Sequence, residues 1–130
     1  MGLLNRDQIL AAEDLKRETV SVPEWGGEVL VSAVTGDARD ELETYMFASG
    51  KSAEQRMKSF RARIAALCIV DETGNRLFTE ADIEKLGRKS AKALQRVVRV
   101  AERLNGFSAA EVDDITKNSE PSPRDASTSS

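Results

Sequence analysis

The chain has 130 residues, 40% apolar, 32% charged and 5% aromatic, with a formal charge of −3. This balance fits one small domain with its own core and excludes collagen-like repeats and disulfide scaffolds. There is no histidine and one cysteine, so the commonest general base, the commonest zinc ligand and any intrachain disulfide are all missing. Enzyme chemistry is disfavoured, and no metal or cofactor is expected.

The net charge conceals an alternation along the chain. Residues 1–50 carry −6, 51–70 carry +4, 71–84 carry −4, 85–104 carry +6 and 105–130 carry −3. Complementary blocks of this kind suit contacts with partners or with other copies of the same chain, although solvated helix faces give the same pattern. No stretch approaches the roughly 20 apolar residues of a membrane span, and no N-terminal apolar run follows Met1-Gly2-Leu3-Leu4. A cytoplasmic protein is expected.

In chain order, Asn5 is placed to cap a short helix over residues 6–12. Thr19-Val20-Ser21-Val22 and the run from Val29 to Val34 alternate β-branched residues around a Pro23-Glu24-Trp25-Gly26-Gly27 link, a β-hairpin pattern. After Val34 the period changes to 3.6, with Thr35 as N-cap and Ala38, Leu42, Tyr45 and Met46 on one side up to Gly50. Phe47 points away from that stripe. A second amphipathic helix carries Ala53, Met57, Phe60, Ile64, Leu67 and Cys68 on its apolar face.

The chain reverses at Asp71-Glu72-Thr73-Gly74-Asn75, and Thr79 caps a short helix with an acidic first turn. The most regular helix runs from Ser90 to Leu104, with Leu94, Val97, Val98, Ala101 and Leu104 as its stripe and Asn105-Gly106 as its stop. Ser108-Ala109-Ala110-Glu111 opens a last helix ending near Asn118. The expected domain covers 1–118. The Ser/Pro-rich stretch 119–130 lacks the apolar residues to offset its ordering entropy and is expected to be disordered. The fold class is α+β and predominantly helical: one N-terminal β-hairpin followed by about five helices, then the tail.

No catalytic constellation emerges. Cys68 sits on an apolar helix face with no histidine to activate it, which makes it a core thiol. The Asp71–Asn75 stretch lacks the glycine and the bidentate Glu of a calcium loop and reads as a plain turn. The neighbouring carboxylates Glu13-Asp14 and Asp113-Asp114 diverge on a helix.

Interaction candidates remain. Lys89, Lys92, Arg96, Arg99 and Arg103 share one helix face, which suits an acidic or amphipathic protein partner or simple solvation. Nucleic acid is disfavoured there, because no aromatic is interleaved and Gln95 alone is available for base readout. Trp25, at the hairpin tip, either folds back on the sheet or stands out as an anchor, and Phe47 is either an interface residue or covered by the N-terminal segment.

The segments 5–16, Val22-Pro23-Glu24-Trp25-Gly26-Gly27-Glu28-Val29, Val70 to Phe78, Leu104-Asn105-Gly106-Phe107-Ser108 and Lys117-Asn118-Ser119 together resemble the tail assembly chaperones of long, non-contractile-tailed bacteriophages. The resemblance covers residues 5–119 and is most specific in Pro23-Glu24-Trp25-Gly26. It implies a non-enzymatic protein of the host bacterial cytoplasm, absent from the mature virion. Such a protein binds the tape measure protein, keeps it soluble, helps recruit tail tube protein and self-associates. It also implies that a frameshifted longer form can extend the 119–130 tail. For self-association, acidic residues of 1–50 in one copy are expected against the 85–104 basic face of the next, with Arg96 and Arg99 central. The alternatives are a small nucleic-acid-binding regulator using the basic helix and a structural tail completion protein.

Overall fold

In a computed structural model, residues 2–47, 50, 52, 54 and 59–106 are described. The elements are α1 (Arg6–Ala11), β1 (Arg17–Val22), β2 (Gly27–Ser32), α2 (Gly36–Met46), α3 (Phe60–Cys68), β3 (Ile69–Val70), α4 (Ile83–Gly87) and α5 (Ala91–Asn105). Pro23–Trp25 and Glu80–Asp82 each form one turn of 3-10 helix. The fold class expected from the sequence is the one observed. The expected start of the second amphipathic helix, with Ala53 and Met57, lies outside the described residues, as do the last expected helix and the 119–130 tail.

β1 and β2 pair antiparallel from Arg17↔Ser32 at the open end to Val22↔Gly27 at the turn. Gly26 closes the turn with φ 78°, a left-handed conformation that a side chain disfavours. One correction to the sequence reading concerns the sheet, which has three strands in the order β1-β2-β3. Ile69 and Val70 pair with Val31 and Leu30 immediately after α3 ends. Two residues are too few to display a period of two, and what recruits them is the otherwise unpaired outer edge of β2. β3 then enters the Asp71–Asn75 turn. There the Asp71 carboxylate accepts from the Thr73 and Asn75 N–H groups at 2.9 and 3.0 Å and from the Thr73 hydroxyl at 2.7 Å. These bonds hold the Asp71 carboxyl below its ordinary range. All three land on Oδ1 and turn that oxygen onto its own loop, the local bonding of a plain turn.

α5 lies against α3 on one side and the β1–β2 hairpin on the other. Its stripe of Ala93, Leu94, Val97, Val98 and Ala101 is buried together with Val22, Val31, Ile64 and Ala65. Full burial of such aliphatic side chains is worth about 1.5–3 kcal/mol each, so this layer supplies most of the drive to fold. Met46 and Leu42 bring α2 onto the same core. Thr35 caps α2 by accepting from the Ala38 N–H at 3.1 Å, and Ser90 caps α5 by accepting from the Ala93 N–H at 3.2 Å.

The end of α5 is tied to the end of β2 by Asn105. Its side-chain oxygen accepts from the Val34 N–H at 2.7 Å, and its amide nitrogen donates to the Ala101 carbonyl at 3.0 Å. The Asn105 carbonyl accepts from Arg39 at 3.3 Å, which adds α2 to the junction. We expect Asn105→Ala to lower unfolding free energy by about 1–3 kcal/mol, because it strands a half-buried Val34 N–H. Asn105→Asp should not rescue, since it sets a second carboxylate oxygen against the Ala101 carbonyl. Urea denaturation of the variants checks both, and a loss below about 0.5 kcal/mol for Asn105→Ala would show that the tie is dispensable.

Candidate interaction surface

The basic stripe of α5 is where the helix period places it, but half of it is already occupied. Arg96 makes a two-bonded ion pair with Glu24 at 2.9 and 3.0 Å, and Arg103 makes another with Glu18 at 2.9 and 2.7 Å. Both carboxylates belong to the hairpin of the same chain. Within one molecule the hairpin packs on the flank of α5, so its outward Glu residues reach Arg96 and Arg103, two residues of the face expected to meet another copy. Lys92 and Arg99 remain exposed and make no hydrogen bond or ion pair among the described residues, although Lys92 adds a favourable charge near Glu24. Gln95 is engaged by Arg61, which donates to it at 2.8 Å.

Trp25 is half-buried and packs on the core, the folded-back position. Its indole N–H is buried with no acceptor among the described residues. The rest of the ring lines an apolar groove of about 490 Å³ floored by Phe78 and Leu86 and edged by Lys85 and Lys89. Sequence reasoning missed this groove because its walls come from the hairpin tip, the segment before Thr79, and α4. Phe47, at the C-cap of α2, keeps 44% of its surface exposed. α1 does not cover it: all of residues 2–17 are exposed, and α1 buries none of its own side chains. Trp25 and the four basic residues flank α5 on the hairpin side, whereas Phe47 belongs to α2, so the predicted candidates do not form one site.

A second, more polar cleft lies between α2, α3 and α4 and is braced by charge. Arg63 stacks on Tyr45 at 3.4 Å from the ring centre and pairs with Glu80 at 3.0 Å, while Arg76 pairs with Glu41 at 3.1 Å. Such pairs fix side-chain positions more than they add stability at an exposed site. Cys68 is buried, and desolvation pushes its thiol up to about 12, so no thiolate forms near neutral pH. Among the described residues no cluster of acidic and cysteine side chains is arranged to hold a metal ion, and no helix is long and apolar enough to cross a membrane.

The surface thus exposes an apolar arm and an apolar groove, beside a basic helix flank of which Arg96 and Arg103 are paired within the molecule. The phage tail assembly chaperone family matches residues 5–118, and the chain belongs to it. The structure is similar to that of the bacteriophage HK97 tail assembly chaperone, with a TM-score of 0.56 and 18% sequence identity over 78% of this chain and 94% of that one. At that identity the likeness speaks for the fold. No curated protein matches the sequence.

Glu18 and Glu24 are held below the ordinary carboxyl value of 4.5, chiefly by the hydrogen bonds from Arg103 and Arg96. A carboxyl depressed in the folded state contributes fully above its unfolded value, and the contribution disappears as pH falls through the folded value. We therefore expect the thermal midpoint to fall on acidification below about pH 5, and Glu18→Gln with Glu24→Gln to flatten that acid limb. Asp71 contributes to the limb in both proteins and cancels in the comparison. Thermal melts by circular dichroism across the acid range measure the difference, and superimposable limbs would show that the two bridges do not couple to folding.

Proposed function

We propose that this protein is a non-enzymatic tail assembly chaperone that binds the phage tape measure protein, keeps it soluble, and helps bring tail tube subunits to it. It acts in the host bacterial cytoplasm, in several self-associated copies, and is not retained in the virion. The observation that carries this reading is the coexistence of family membership with apolar surface that the domain leaves uncovered: Phe47 at the end of α2 and Leu77 ahead of α4, open to a client, and Leu3, Leu4, Ile9 and Leu10 along the N-terminal arm, open to other copies. A long helical tape measure protein exposes apolar stripes before the tube surrounds it, and a holding partner needs apolar surface to offer in return.

Against the nucleic-acid reading weigh the Glu24 and Glu18 carboxylates, which offset the charge of Arg96 and Arg103, and the engagement of Gln95 by Arg61. Phosphate binding depends on uncompensated Lys and Arg.

Co-expression with the tape measure protein of the same phage tests the proposal. The soluble yield of the tape measure protein should rise several-fold over expression alone, and the two should co-purify. An unchanged soluble yield at matched expression would sink the chaperone reading.

A further inference from the structure

We propose that the N-terminal arm of one copy docks its apolar residues into the Trp25 groove of the next copy, so that copies add head to tail. The proposal rests on the self-association in the reading above and names the two surfaces that perform it.

The arm is built to be held by something. Asn5 and Gln8 form a reciprocal capping box, the Gln8 N–H donating to the Asn5 side chain at 2.8 Å and the Asn5 N–H to the Gln8 side chain at 2.9 Å. A six-residue helix is marginal in water even with a good cap, and this one buries nothing in its own domain. Leu4 and Ile9 have the spacing of a hydrophobic staple across the cap. With Leu10 next in the helix, the arm offers exposed aliphatic side chains, Ile9 57% and Leu10 68% exposed.

The groove matches it in chemistry and charge. Its floor of Trp25, Phe78 and Leu86 is apolar. Of its charged edge residues, Glu24 is neutralised by Arg96, and Asp82 accepts from the Thr79 N–H at 2.9 Å. Lys85 and Lys89 are left without ion partners among the described residues. On the arm, Arg6 and Asp7 pair with each other at 2.9 Å, which leaves Glu13, Asp14 and, next to β1, Lys16 as the uncompensated charges, a net of one negative. The arm after its aliphatic residues thus carries a net negative charge, and the groove edge, with two ammonium groups against the Asp82 carboxylate, a net positive one.

Position in the fold makes the contact directional. The arm enters β1 at Arg17, the open end of the hairpin, whereas Trp25 is at its closed end. Six strand residues separate them by roughly 17–20 Å. A patch and a socket at opposite ends of one element make a heterologous contact, which leaves an unused arm and an unused groove at the two ends of every assembly and propagates.

The experiment uses the full chain with its single native cysteine, Cys68, which is buried. Leu10→Cys combined with Lys89→Cys, mildly oxidised, should give a ladder of covalent oligomers, whereas either substitution alone should stop at dimers. A monomeric species with an internal disulfide would show the arm in its own groove, and absence of any crosslink would place the arm elsewhere; either overturns the proposal.

Ile9→Ser with Leu10→Ser should weaken self-association on the order of a hundredfold by sedimentation velocity, from the loss of two buried aliphatic side chains. Lys85→Glu with Lys89→Glu should weaken it too, and adding Glu13→Lys and Asp14→Lys should restore it. If the serine variant keeps full self-association but loses the tape measure protein in co-expression, the arm serves the partner and the proposal fails while the chaperone reading stands. If co-expression fails while the ladder forms, the reverse holds.

Discussion

Helix α5 has one stripe to bury, and the position of nearly every other described element follows from how that is done. Val97 and Ala101 lie in the centre of the molecule, with α3 on one side and the hairpin on the other. Small residues are buried where α3 and α5 meet: Ala93 and Ala101 on α5, and Ala65 on α3. Short side chains at a helix crossing let the two axes approach closely. That approach brings the end of α3 beside β2, and the next two residues, Ile69 and Val70, then meet the open edge of β2. The third strand is therefore a consequence of the α3–α5 crossing, with no strong strand signal of its own.

The same arrangement decides what becomes of the charge blocks. Once the hairpin lies on the flank of α5, Glu18 and Glu24 stand within reach of Arg103 and Arg96, although 85 and 72 residues separate the partners. Exposed pairs of this kind contribute little free energy. Their larger effect is on the surface: they remove two of the four predicted α5 basic residues from circulation and move the uncompensated positive charge to Lys85 and Lys89 beside the groove, and to Lys92 and Arg99. An alternation that reads in sequence as a code between molecules is partly spent inside one.

Local chemistry was legible in the sequence because it acts over a few residues. The Asn5 and Thr35 caps, the Pro23–Gly26 turn, the Asp71 turn and the apolar stripe of α5 all depend on neighbours within one or two helical turns, and each stands where the pattern put it. What the sequence concealed is non-local. Asn105 reads as a helix stop, yet its side chain bridges to Val34, 71 residues away. Ile69–Val70 has no visible period. The Trp25 groove exists only after three separated segments meet. The aliphatic character of Ile9 and Leu10 was plain, but whether a domain covers such residues is a property of the assembled surface, and here it does not.

A capped helix with nothing beneath it is an unfinished interface, and that bears on how a holding protein avoids becoming an aggregate. A groove that accepts only a segment shaped like the arm, with carboxylates following its aliphatic residues and lysines at its own edge, converts exposed apolar surface from a general liability into a specific contact. On the proposed reading, self-association sequesters the arms until only a terminal arm and a terminal groove stay open. The remaining exposed apolar side chain of α2, Phe47, lies outside that contact and stays available along the length of the assembly. Separating the surface that joins copies from the surface that meets the client lets the number of copies follow the length of the protein being held.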